Sequence, residues 1–156
     1  MHGPTWIFWA NLTLFSLQHL HLESEEVVGD LGGLAPLSML ETLDLTGCTR
    51  VSGDVRGLAP LTRLEHLNLY DTRAAGDVKG LAPLLGLTRL LLWGTKVSGH
   101  VEGLAPLSEL EQLDLFNTKV SGDVEGLVRA RSHCRFVLPL IHFITDLLTY
   151  SVPLYI

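Results

Sequence analysis

The stretch Arg56-Gly-Leu-Ala-Pro-Leu-Thr-Arg-Leu-Glu-His-Leu-Asn-Leu-Tyr-Asp-Thr-Arg-Ala-Ala-Gly-Asp-Val78 decides how the chain is read. Its leucines at 61, 64, 67 and 69 follow L-x-x-L-x-x-L-x-L. The closing L-x-L step has period two, so both leucines face one side of a short strand. The spacing of three before it reads as a helical or 3₁₀ turn. Working outward, the same spelling returns at Lys79 to Val101 and at Glu102 to Val124. Before it, Gly32 to Val55 is a copy with one extra residue around Gly47-Cys48-Thr49. Gly33-Leu34-Ala35-Pro36-Leu37 recurs from Gly57, Gly80 and Gly103, in steps of 24, 23 and 23 residues. An earlier, poorer unit lies near Ala10 to Leu31, where leucines 14, 17, 20 and 22 match 37, 40, 43 and 45. A single unit cannot bury its own leucines, so neighbours must cover them. Five units exceed the roughly three needed for a continuous core.

The 156 residues suggest one domain, and 47% hydrophobic content is enough to fill its core. Residues 1–9 form an apolar lead-in, 10–127 the repeats, and 128–156 a degenerate repeat with an apolar tail. The net charge of -6 argues against nucleic acid as the main partner, since phosphate binding needs a basic stripe. Two cysteines, Cys48 and Cys134, exclude a disulfide framework and a four-cysteine zinc site. That usage favours a reducing, cytoplasmic setting. The apolar run Trp6 to Ala10 has no Lys or Arg before it, unlike a signal peptide. The sequon Asn11-Leu12-Thr13 is therefore read as chance.

This pattern resembles the leucine-rich repeat, over roughly residues 10 to 127. The Val-Ser-Gly-Asp-Val stretches at 51–55 and 120–124 are similar to the Leu-x-Gly-x-Ile-Pro stretch of plant-type repeats. The resemblance implies an α/β solenoid, a curved right-handed superhelix with short parallel strands on its concave face and a short extra strand on one flank. It implies a protein-binding module. The chain departs from the pattern in two places. Thr72, Thr95 and Thr118 replace the usual buried Asn, with Thr49 displaced by the insertion, and Asp-Val replaces Ile-Pro. A threonine ladder can still bond loop backbone, with fewer bonds per residue. Gly53-Asp54, Gly76-Asp77 and Gly122-Asp123 are expected to be turns. Pro36, Pro60, Pro83 and Pro106 are expected to open the helical turns, where a missing N–H costs little.

In a solenoid, function lives on the exposed strand face, so the x positions are read by column. The position before the first strand leucine holds His19, Thr42, His66, Arg89 and Gln112. The position between the leucines holds His21, Asp44, Asn68, Leu91 and Asp114. The position after them holds Glu23, Thr46, Tyr70, Trp93 and Phe116, and the next Ser24, Gly47, Asp71, Gly94 and Asn117. With parallel strands about 4.8 Å apart, Tyr70, Trp93 and Phe116 form one apolar stripe, extended by Leu91. Arg89, Asp114 and His66 surround it, in the manner of an interface anchor with a polar rim. These seven residues are the candidate partner-binding site, for a protein or peptide. The competing expectation is a ring ladder that only stiffens the sheet.

No nucleophile elbow or phosphate loop appears, so neither catalysis nor a cofactor is expected. His19, His21 and Glu23 alternate on one strand beside Asp44, but the set matches no known metal motif, and no metal is expected. After Gly126 the leucine register decays, with Ala130 and His133 at leucine positions. The tail from Phe136 to Ile156 has the length of a membrane span, preceded by Arg129, Arg131 and Arg135. It also holds Pro139, His142, Asp146 and Pro153, which are costly there. Three readings stay open: a cap on the solenoid's end, a membrane anchor that would make this the sensor part of a receptor-like signalling protein, and sequence unrelated to the repeats.

Overall fold

The protein's structure, a computed structural model, describes residues 16–122 and the backbone of 135–137. The apolar lead-in, the sequon and the tail from residue 138 onward lie outside the described residues. Each repeat supplies one strand to each of two parallel sheets. The main sheet takes β1 (His19–His21), β3 (Thr42–Asp44), β5 (His66–Asn68), β7 (Arg89–Leu91), β9 (Gln112–Asp114) and β11 (Arg135–Val137), side by side in that order. The second sheet takes β2 (Val28–Asp30), β4 (Arg50–Asp54), β6 (Arg73–Asp77), β8 (Lys96–His100) and β10 (Lys119–Ser121). This is the solenoid that the repeats require, and the second sheet is the extra flanking strand that the resemblance implied.

Four 3₁₀ turns, Leu31–Leu34, Val55–Leu58, Val78–Leu81 and Val101–Leu104, join one repeat to the next. The spacing of three is explained by their geometry. Leu61 N–H donates to the Leu58 carbonyl at 2.9 Å and Leu64 N–H to that of Leu61 at 3.0 Å. In such i to i+3 geometry side chains three apart eclipse, so all three leucines point the same way. All three are fully buried, together with Leu67, Leu69, Leu90, Leu92 and Leu113; Leu115 is 8% exposed. The period-two assignment of the strand leucines to the interior is therefore what the fold shows.

The prolines do something else than expected. Pro60 comes after the 3₁₀ turn Val55–Leu58 and its C-cap Ala59, not before it. Ala59 and Leu61 both donate to carbonyls three residues back, and Pro60, lacking an N–H, sits between them. Gly53-Asp54 and Gly76-Asp77 are likewise not turns, and Asp123 of the third pair lies outside the described residues. Gly53 and Asp54 end strand β4, and the Asp54 side chain caps the following 3₁₀ turn by accepting from Arg56 N–H at 2.9 Å. Asp30 and Asp77 cap their turns in the same way. His100 takes that place once and makes no cap bond. Gly53 has φ +122, and a Cβ there would lie 2.8 Å from the Leu31 backbone nitrogen, so both conformation and space exclude a side chain.

The ladder of threonines exists. Thr72, Thr95 and Thr118 hydroxyls each donate to the carbonyl of the leucine three residues back, at 2.8 Å. The ladder stays within each repeat and closes the corner between its two strands. In the repeat with the insertion the corresponding place belongs to Cys48, not Thr49. Cys48 is fully buried, and its thiol donates to the Leu22 carbonyl of the preceding repeat at 3.3 Å. Past Gly126, β11 pairs with β9 in the repeat's own register, Arg135 opposite Gln112 and Phe136 opposite Leu113. The main sheet thus gains a sixth strand beyond the point where the leucine spelling fails. Among the described residues, no helix is long and apolar enough to cross a membrane.

Candidate functional site

The main sheet pairs like with like. His66 lies opposite Arg89, Leu67 opposite Leu90, Asn68 opposite Leu91, and each continues in β9 as Gln112, Leu113 and Asp114. The columns before and between the strand leucines are therefore physical rows across the strands. Tyr70, Trp93 and Phe116 leave the ends of β5, β7 and β9 and stack. The Tyr70 and Trp93 centroids are 4.4 Å apart at 10°, and those of Trp93 and Phe116 6.2 Å apart at 7°. Rings this nearly parallel belong to the favourable stacked arrangement.

Local chemistry aims the rings. Asp44, Asn68 and Asp114 each use a side-chain oxygen to accept the backbone N–H two residues on: Thr46 at 3.0 Å, Tyr70 at 3.1 Å and Phe116 at 2.8 Å. Such short-range bonds are what Asx residues offer at strand exits. The following residue then turns the chain through the left-handed region, with φ of 70° at Gly47, 57° at Asp71, 72° at Gly94 and 54° at Asn117. Sequence reading placed these four in a column without seeing its meaning. Gly, Asp and Asn are the residues that tolerate that conformation, and that was the available signal. Their N–H groups tie the stack together: Gly47 donates to the Tyr70 carbonyl, Asp71 to that of Trp93 and Gly94 to that of Phe116.

The structure brings all seven candidate residues onto the outward side of β5, β7, β9 and their exits. Tyr70 is 39% exposed and Arg89 is exposed, while His66, Leu91, Trp93, Asp114 and Phe116 are half-buried. Trp93 is less open than the sequence suggests, because a ring covers each of its faces. The ring at the open end, Tyr70, has no ring beyond it. Its row continues as Thr46, whose hydroxyl donates to Asp44 Oδ1 at 2.6 Å and accepts from Asn68 Nδ2 at 2.7 Å.

The histidine end of the face is polar. His21 Nδ1 lies 3.2 Å from Asp44 Oδ2, and His19 instead meets the Thr42 hydroxyl at 3.1 Å. Burial pushes the Asp44 carboxyl up, but the hydroxyl and N–H of Thr46 and the neighbouring His21 outweigh it and hold the group below its ordinary value. Among the described residues no three His, Cys, Asp or Glu side chains gather as a metal-ligand set.

Charge is divided between the two sheets. The main strands and the residues flanking them carry Glu23, Glu41, Asp44, Glu65, Asp71, Glu111 and Asp114 against Arg89 and Arg135. The cations Arg50, Arg73, Lys96 and Lys119 all belong to the second sheet.

No protein-family model matches the sequence, and no curated protein is significantly similar to it. Solved structures do match. The plant peptide hormone receptor RGFR1 in complex with RGF2 is similar over 78% of this chain and 20% of its own, with 22% identity and a TM-score of 0.67. The ectodomain of the receptor kinase SOBIR1 from Arabidopsis thaliana, a leucine-rich-repeat domain, is similar over 75% of this chain and 66% of its own, with 27% identity and a TM-score of 0.62. A plant ice-binding protein is similar over 79% of this chain and 40% of its own, with 21% identity and a TM-score of 0.66. The chain thus spans a fifth of the length of the hormone receptor. One architecture serves a peptide receptor and an ice binder, so the fold alone does not select a function.

Proposed function

We propose that this chain, a leucine-rich-repeat protein with plant-type similarity, is a protein-interaction module that takes a protein or peptide on the outward, concave side of its main sheet. The observation that carries the proposal is the stack of Tyr70, Trp93 and Phe116 in the middle of that side. Aromatic rings set in a polar rim are the usual anchors of an interface. Solved relatives of this fold include receptors in complex with peptide hormones, which supports a peptide as the partner. Binding, not catalysis, is the activity proposed. Attachment to a membrane rests on the composition of residues 136–156, and partitioning of the full chain into liposomes tests it.

Panning a displayed peptide library on the full chain, followed by affinity measurement on variants, tests the site. Selected peptides should lose at least about 2 kcal/mol, the usual hot-spot threshold, on Trp93→Ala. Because Trp93 is also packed between two rings, the same variant should melt at a lower temperature, so Tyr70→Ala at the exposed end serves as the milder companion. Peptides that bind both folded variants as tightly as the wild type would remove the site.

A further inference from the structure

We infer that the segment bound on the main sheet is cationic, an extended peptide whose apolar residues rest on the ring stack while Lys or Arg side chains reach the carboxylates on either side. The inference rests on the main-sheet side being the binding surface, and adds the chemistry of what it takes. Glu65 and Glu111 bound that side where the strands begin, and Asp71 bounds it where they end. The side chains of all three are exposed and make no hydrogen bond or ion pair among the described residues. The apolar stripe therefore has unanswered negative charge on both flanks. An extended peptide crossing the strands sends successive side chains to opposite sides, so basic residues at neighbouring positions can meet both flanks.

The second sheet is not an equivalent surface of opposite sign. Its pairing is staggered by two residues, so Asp54 lies opposite Ala75 and Ala75 opposite Lys96, and Asp77 lies opposite Ser98 and Ser98 opposite Lys119. Each of these two rows therefore runs from an acid through a small neutral residue to a base. The ring stack sets one further limit. Both faces of Trp93 are covered, so a cation can lie on a ring face only at the ends of the stack, and Thr46 leaves the Tyr70 end without a fourth ring.

Three fluorescein-labelled peptides of one length, in which single leucines are separated by pairs of lysines, of serines or of glutamates, are titrated against the full chain by fluorescence polarisation. The lysine peptide should bind about tenfold more tightly than the serine peptide, the sum of several exposed pairs, and the glutamate peptide more weakly than either. Added salt should narrow the gap. Glu65→Gln with Asp71→Asn should weaken the lysine peptide several-fold. Glu25→Gln with Glu109→Gln, which removes the same formal charge elsewhere, should not. Asn keeps the left-handed backbone of residue 71, and matching melting curves confirm that both double variants fold. Equal binding of serine and lysine peptides overturns the inference and leaves the binding surface standing. Equal weakening by the two double variants also overturns it, as bulk charge attraction. No binding by any of the three overturns both.

Discussion

The two sheets are built from the same repeats, yet they arrange their residues differently. In the main sheet a residue lies opposite its counterpart in the next repeat, so a column of similar side chains becomes a continuous row, and three rings stack. In the second sheet a residue lies opposite one two places removed. Gly76 sits beside Val97 and Asp77 beside Ser98. Glycine there makes room for the side chain that caps the preceding repeat, Asp54 against Gly76, and acid, neutral and basic residues share a row. In-register pairing concentrates one chemistry and suits a binding surface. Staggered pairing mixes chemistries and suits a wall that only needs to close. Register, and not composition, separates the two roles.

The comparison breaks most readily in the main sheet's interior. Leu90 is fully buried between Leu67 and Leu113, and Leu90→Ala should cost roughly 2–5 kcal/mol in urea denaturation. A cost near zero would mean that the buried side of the strand has been misassigned. The stagger of the second sheet is tested by Gly53→Ala, which places a methyl against the Leu31 backbone at a positive φ. It should lose about 1–3 kcal/mol, the range for a strained backbone conformation. Gly47→Ala, with φ +70 and nothing within 4 Å of the new methyl, should lose less. If the two changes cost the same, close stacking of the second sheet contributes nothing beyond the dihedral angle.

The corner that joins the sheets should respond more weakly. Thr95→Val removes one hydroxyl bond to the Leu92 carbonyl, which still accepts from the Thr95 N–H. Roughly 0.5–1.5 kcal/mol should disappear from the unfolding free energy. The smallest effect concerns Asp44. Its folded-state carboxyl is held below the ordinary value, so its contribution is full above that value and is lost as pH falls through the lowered one. Asp44→Asn should flatten the acid limb of the stability curve and lower the neutral plateau slightly. An acid limb of unaltered steepness would show that Thr46 and His21 do not hold the carboxylate.

Sequence reading reached the repeats, the buried leucines, the outward columns and the adjacency of Tyr70, Trp93 and Phe116, because periodicity alone fixes which residues share a side. It did not reach what depends on hydrogen-bond direction. Proline's place after the 3₁₀ turn follows from which carbonyls receive N–H groups, and nothing in the spelling says so. Asp54 was read as a turn residue, since the same side chain suits a turn and a cap. Thr49 drew attention from Cys48 because threonine is the ladder's usual residue, although counting three on from Leu45 arrives at the cysteine. Strand β11 was within reach: 23 residues beyond Gln112 lies Arg135, and Phe136 stands in the leucine column. Local loss of the leucine spelling hid a period that the sheet retains.

The extra residue beside Cys48 has a further consequence. Thr49 N–H donates to the Gly47 carbonyl and Val51 N–H to that of Cys48, so the added length is taken up in the corner. The main-sheet rows on both sides of that repeat keep their register. The corner between the two sheets therefore behaves as an expansion joint. Other repeats could carry a grafted loop at Arg73 or Lys96 with the binding rows undisturbed, and such loops would emerge beside the ring stack, where a longer solenoid of this kind could gain new specificity without rebuilding its core.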